Sequence, residues 1–167
     1  MPQIIIRPTS TTSQTGWASS NIHTIIGDNN TSTGVAQNNV TCNFTGVLAD
    51  LDSMPSGAEI NYFTISLSGK AGRAGASTVE MSLIHSSDGA FAIASRSFTG
   101  TQDTQTTGQR TTQQDGSSTL TLGYINDCSV RIVPNTQGVT AYELFVTVDY
   151  TEASGYGNAV NGVASAN

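Results

Sequence analysis

The chain has 167 residues, of which 37% are hydrophobic and only 11% charged, and its formal charge is −6. That length buries a core without metal or disulfide staples. The acidic balance, with Lys70 as the sole lysine, excludes the basic footprint that selects a nucleic acid or an anionic membrane, and no stretch reaches the roughly 20 apolar residues that cross a bilayer as a helix.

Pro2 and Pro8 bound a short apolar run, Ile4, Ile5 and Ile6. It reads either as an edge strand, since proline is tolerated at strand ends, or as an arm that pairs with a neighbouring subunit. The run is too short for a secretory signal and no cleavage pattern follows, so synthesis in a cytoplasm is expected. Thr9 to Thr15 is a hydroxyl-rich connector, and residues 1–15 together are expected as an N-terminal arm. Gly16-Trp17 introduces the only tryptophan, Ile22, Ile25 and Ile26 follow, and Gly27-Asp28-Asn29-Asn30 is a turn. Val40 to Phe44 is the next strand. Leu48, Leu51 and Met54, spaced by three, suit a single helical turn.

Pro55-Ser56-Gly57 then turns the chain, with proline fixing one φ and glycine offering a positive one. Phe63, Ile65 and Leu67 follow, alternating with Thr64, Ser66 and Ser68, a period of two that sorts apolar and hydroxyl side chains onto opposite faces of a strand. Lys70 to Ser77 is a glycine-rich loop. Val79, Met81 and Leu83 alternate in the next strand, Ser86 to Gly89 reverses it, and Ala90 to Phe98 returns with Phe91 and Ile93 inward. Thr99 to Ser118 is crowded with Thr and Gln, has no apolar side chain at all, and reads as an exposed edge strand plus loops. Leu120, Leu122, Tyr124 and Ile125 lead into the strand Cys128 to Val133. The last strand, Val139 to Tyr150, sets Tyr142, Leu144, Val146, Val148 and Tyr150 on one face. With Phe63, Ile65 and Leu67 these form the expected core. After Thr151 the alternation stops, and residues 152–167 are expected as a C-terminal arm whose apolar groups include Tyr156, Val160 and Val163.

About eight short strands separated by turns, each with one apolar face, predict an all-β, antiparallel, two-sheet sandwich over residues 16–151 with short non-globular arms at both ends.

Few residues offer chemistry. Cys42 and Cys128 sit at core-facing positions of their strands and are expected as buried free thiols. Asp50 and Asp52 are a close carboxylate pair, yet at i, i+2 they suit capping or solvating a turn better than the opposed geometry of a glycosidase. His23 and His85 have no nucleophile motif with them, and the glycines at 69, 72 and 75 lie between strands, without the helix that receives a phosphate. Asp28, Asn29 and Asn30 are weak candidates for calcium, which takes six to eight oxygen ligands; an Asx-rich turn explains the same letters. Trp17, Tyr62, Tyr124 and Tyr156 offer rings for stacking on sugars or, for Trp17 and Tyr124, for packing. The sequons at Asn30, Asn39 and Asn43 are chance products of the composition. No catalytic residue, metal or cofactor is expected.

Several stretches together carry a resemblance: Gly16-Trp17, Leu51, Pro55-Ser56-Gly57-Ala58-Glu59-Ile60, Asp115-Gly116, Leu122-Gly123-Tyr124-Ile125-Asn126, Val130-Arg131 and Val146-Thr147-Val148-Asp149-Tyr150. They resemble a jelly-roll-like β-sandwich module of tailed-phage virion proteins over about Trp17 to Tyr150. The family often has a tryptophan after the late Asp-Gly, where this chain has Ser117-Ser118-Thr119. The resemblance implies a helical turn before the Val-Arg strand. It also implies a non-enzymatic capsid decoration protein on the virion exterior, a homo-oligomer whose partner is a phage capsid protein. Ile4, Ile5, Ile6, Tyr156, Val160 and Val163 would then serve as arm contacts. The alternative is a receptor- or glycan-binding module of a fibre or knob.

Overall fold

The computed structural model describes residues 2–38, 42–49, 51, 54–72, 75–135 and 138–153. The chain is an antiparallel β-sandwich of two five-stranded sheets. Sheet A runs β1 (Gln3–Ile6), β10 (Val139–Thr151), β5 (Glu59–Ala71) and β8 (Asp103–Thr106), with β3 (Val35–Ala36) also on β10. Sheet B runs β2 (Pro8–Thr15), β4 (Asn43–Leu48), β9 (Cys128–Pro134), β6 (Ser77–His85) and β7 (Gly89–Phe98). Two short helices complete the described elements, α1 (His23–Ile26) and α2 (Leu122–Asn126).

The centre of sheet A is the pairing of the two longest strands. Phe63 faces Val148, Ile65 faces Val146 and Leu67 faces Leu144, and all six side chains are fully buried. Phe44, Leu48, Val79, Met81, Leu83, Val130 and Ile132 close the core from sheet B. An aromatic chain crosses between the layers. Phe63 meets Phe91 edge-on at 5.8 Å, Phe91 meets Tyr124 at 5.5 Å, and Tyr124 stacks flat on His85 at 4.0 Å. The turn before β5 is closed by the Ala58 N–H donating to the Pro55 carbonyl (3.1 Å), with Gly57 at φ +76°. That is the conformation for which glycine is suited there.

Two bulges displace residues that strict alternation puts inward. In β10 the partner of β5 slips between Ala141 and Glu143, so Tyr142 is the extra residue. Val139 and Ala141 face the core with Leu144, Val146 and Val148, whereas Tyr142, though buried, packs outside that cluster with its ring near the Lys70 ammonium (5.6 Å). In β7, Met81 pairs with Ala94 and Leu83 with Phe91, leaving Ala92 and Ile93 opposite Ser82 alone. Ala92 adopts φ +54°, the left-handed conformation common at such insertions. Phe91 therefore stays inward and Ile93 turns out, 56% exposed.

The N-terminal residues are not an arm. Gln3–Ile6 pair with Val146–Asp149, and Pro8–Thr15 pair with β4, so the apolar run and the hydroxyl-rich connector become one edge strand in each sheet. The reason lies in what Ile6 and Arg7 meet. Ile6 is buried, and Arg7 between the strands bonds Glu143 (Nη2 to Oε1 2.6 Å, Nε to Oε1 3.3 Å) while its guanidinium lies 5.6 Å from the Phe145 ring. Glu143 is 7% exposed, and breaking such a pair by removing one partner leaves a charge in a poorly solvated place. Ile4 is partly buried against the core and Ile5 is 50% exposed.

Helical turns fall in other places than the three-residue spacing suggests. Leu48 ends β4, and a single bond from the Met54 N–H to the Leu51 carbonyl (2.9 Å) follows, with no helix assigned at the described residues there. Ile22 and Ile26 are instead fully buried by α1. The expected turn before the Val-Arg strand is α2, capped by Thr121, whose hydroxyl accepts from the Tyr124 N–H (3.2 Å). Val40, Asp50, Asp52, Tyr156, Val160 and Val163 lie outside the described residues.

Candidate functional site

The outer face of sheet B carries a groove of about 530 Å³ lined by Ser13, Asn43, Thr45, Ile84, Arg131 and Val133 among others. Period-two alternation puts these side chains there. Phe44, Ile132, Val130 and Leu83 point into the core, so their neighbours Asn43, Thr45, Arg131, Val133 and Ile84 point away from it. Antiparallel register then brings them together: Arg131 lies opposite Thr45 on one side and opposite Ser82 on the other. The Arg131 guanidinium bonds Glu80 through Nη2 (3.1 Å). Asn43 is anchored through its backbone, since its carbonyl accepts the indole N–H of Trp17 (2.9 Å).

Among the described residues, three buried side-chain polar atoms have no hydrogen-bond partner: Asn43 Oδ1, Ser82 Oγ and Arg131 Nε. All three belong to outward-facing side chains of adjacent strands β4, β6 and β9. Buried polar atoms are ordinarily paired, so three on one face mark it as unlike the rest of the molecule.

The other candidate residues serve the fold. Asp28 Oδ1 accepts from the Asn30 N–H (2.9 Å) and Oδ2 from the Thr33 hydroxyl (2.9 Å). Asn30 Oδ1 accepts from both the N–H and the hydroxyl of Ser32 (2.9 and 2.5 Å), and Asn29 Oδ1 accepts from Arg7 (2.6 Å). These oxygens build an Asx turn beside a guanidinium rather than converge on a cation. Among the described residues no group of three or more His, Cys, Asp or Glu is placed to hold a metal. His23 Nδ1 lies 2.8 Å from the Thr11 hydroxyl.

Trp17 and Tyr124 are buried, as packing rather than stacking on a ligand requires. Tyr62 is half-buried on β5, where its hydroxyl lies 3.5 Å from Gln3 Nε2. Gly69 lies within β5, and the Gly72 N–H bonds the Gly138 carbonyl, which gives those glycines a packing role in place of a phosphate loop.

A second depression, about 400 Å³, is lined by Asp88, Gln113, Gln114 and Asp115. Its carboxylates are already engaged. Asp115 accepts from the Ser118 hydroxyl and from the Ser117 and Ser118 N–H groups, which holds its carboxyl down at about 2. Asp88 Oδ2 lies 3.3 Å from His85 Nδ1, which also faces the Ser87 and Asp88 N–H groups at 3.4 and 3.3 Å. Burial pushes the Tyr124 hydroxyl up, and that oxygen accepts from the Gln114 N–H (3.1 Å). An ionised, hydrogen-bonded carboxylate and a raised phenol offer no general acid near neutral pH. Cys42 and Cys128 are buried free thiols, each pushed up to about 12 by burial, so neither is a thiolate nucleophile.

The groove residues Asn43 and Arg131, and Ser82 opposite Arg131, have no sequence motif. Arg131 is the one charged residue in the apolar run Cys128 to Val133, but its neighbours come from strands whose order a linear reading does not supply.

No protein-family model and no curated protein matches the chain. Solved structures do. The C-terminal CBM6 of LamC, a marine laminarinase from Zobellia galactanivorans, superposes with a TM-score of 0.50 at 10% identity, over 88% of this chain and 98% of that one. A carbohydrate-binding module of Cellvibrio mixtus lichenase 5A, solved with cellotriose, gives 0.45 at 11% identity over 89% and 98%. At such identity the first likeness is one of fold, and this chain is a β-sandwich of the kind seen in the LamC module.

Proposed function

We propose that this protein is a non-catalytic binding module that takes a carbohydrate on the outer face of sheet B. The observation that carries the reading is the groove across β2, β4, β9 and β6, where hydroxyl, amide and guanidinium groups of Ser13, Asn43, Thr45 and Arg131 lie beside the aliphatic Ile84 and Val133. Sites for small polar ligands combine apolar walls with a few placed hydrogen-bonding groups, and a sugar ring presents both C–H patches and hydroxyls to such a surface. The likeness in fold to the LamC module sets the ligand class to try first; it says nothing about which residues bind. Such a module fits the receptor- or glycan-binding part of a fibre. Affinity electrophoresis of the full chain through gels containing laminarin, with a glycan-free gel as reference, tests the reading. Retardation supports it, and equal mobility in laminarin and in a panel of other neutral glycans refutes it.

A second reading, a structural virion protein on a tailed-phage capsid, rests on a different observation. β1 ends sheet A with Ile5 50% exposed, and an unpaired strand edge accepts a strand from a neighbour. In that reading the edge joins copies of the chain, or the chain and a capsid protein. Light scattering of the purified chain, alone and mixed with empty capsids, tests it: a monomer that leaves the capsid peak unchanged refutes it.

A further inference from the structure

We infer that the groove recognises a neutral vicinal diol, held between Asn43 Oδ1 as acceptor and Arg131 Nε as donor. The inference rests on the carbohydrate-binding reading and adds the chemical class of its ligand. Its starting point is these two atoms. Each is buried and without a partner, and they belong to side chains on the same outward face of β4 and β9. A buried unpaired donor or acceptor carries an uncompensated desolvation cost, so a ligand that reaches one recovers part of that cost.

The pair is complementary in kind. The Asn43 carbonyl oxygen only accepts and the Arg131 Nε–H only donates. A carboxylate or sulfate can take the arginine proton but cannot donate to Asn43. A hydroxyl does both, and two hydroxyls on adjacent carbons serve both residues at once. Register puts the two side by side on one face: Thr45 is the direct partner of Arg131, which makes Asn43 its diagonal neighbour, a pair within reach of long side chains.

Charge points the same way. Glu80 pairs Arg131 Nη2 at 3.1 Å, so the groove's cation is already balanced, and the chain as a whole carries −6. An anionic sugar would have to displace Glu80 against that field. Glu80 is thus a positioning residue that holds Nη2 and leaves the buried Nε without a partner.

The test uses the full chain and three soluble probes: laminarin, cellotriose and polygalacturonate. Arg131→Lys keeps the cation for Glu80 and removes Nε, and Asn43→Ala removes Oδ1 while leaving the backbone carbonyl that holds Trp17. Both changes lie on the solvent side of the sheet, and urea midpoints verify that each variant folds; Asn43→Asp, which keeps an acceptor, serves if Asn43→Ala does not. Wild type is expected to bind a neutral glycan, each deletion to weaken binding on the order of tenfold, Asn43→Asp to retain it, and polygalacturonate to bind no better than buffer. Wild-type binding left unchanged in both deletions would place the glycan elsewhere and overturn the inference while the carbohydrate reading survives. Tighter binding of polygalacturonate would overturn the diol. No binding of either neutral probe would remove the inference together with that reading.

Discussion

Phe91→Ala and Ile93→Ala, made separately, test the bulge that decides which face of β7 is inside. Alternation alone makes the two residues equivalent, but the inserted Ala92 separates them. Phe91 is 4% exposed and meets both Phe63 and Tyr124 edge-on. Deleting a buried phenylalanine costs about 3 to 5 kcal/mol, within which two aromatic contacts account for roughly 0.5 to 1.5 each. Ile93 leaves more than half its surface in water, so its truncation stays within about 0.5 kcal/mol. At roughly 2 to 4 °C per kcal/mol for a domain of this size, the first variant melts ~6 to 20 °C lower and the second within a degree or two of wild type. Urea unfolding followed by fluorescence of Trp17, which is buried, gives both values. Comparable losses in the two variants would mean that β7 runs without the insertion and the inward face is misassigned. Ala92→Gly should raise stability slightly, because a left-handed alanine costs about 1 to 2 kcal/mol and the extra freedom of an unfolded glycine offsets roughly 0.5 to 1 of it.

Deleting residues 2–7 removes β1, Ile6 and the partner of the buried Glu143, so a loss of at least about 3 kcal/mol is expected, partly restored by Glu143→Gln; a truncated chain with the wild-type midpoint would show β1 to be peripheral. Both thiols, pushed up to about 12 by burial, should label slowly in the native protein and give two equivalents when unfolded. Because their folded values lie above the unfolded range of about 8.5, the stability they contribute is intact below that pH and lost as pH rises toward 12. Rapid native labelling would contradict their placement. Asp149 is held below the usual carboxylate range, first by the Asn61 amide (2.8 Å), so it stabilises the fold above about pH 4 and ceases to as pH falls through its folded value. Asp149→Asn should therefore flatten the acid limb of the stability curve; an unchanged limb would contradict the assignment.

The strands that carry the sandwich are written plainly in the chain. Phe63, Ile65, Leu67, Leu144, Val146 and Val148 alternate without interruption, and a period of two has one structural solution. Where a single residue is inserted, at Tyr142 and Ala92, the pattern misleads, because the slip is fixed by the pairing with the neighbouring strand. The N-terminal strands were obscured differently. Gln3 to Thr15 is apolar then hydroxyl-rich, and what ties it to both sheets, the burial of Ile6 and the Arg7–Glu143 pair 136 residues apart, is not local in sequence. The groove was illegible for a topological reason: Asn43, Ser82 and Arg131 stand together because β4, β9 and β6 are neighbours in space, an order that no local pattern encodes.

The central claim is that the outer face of sheet B binds a neutral glycan, and isothermal titration of wild-type chain and Arg131→Lys with laminarin tests it most directly. Saturable heat with wild type, weakened on the order of tenfold in the variant at an unchanged urea midpoint, is the expected result. Equal binding of laminarin by the two proteins would contradict it, as would no heat from wild type with laminarin or with the panel of other neutral glycans.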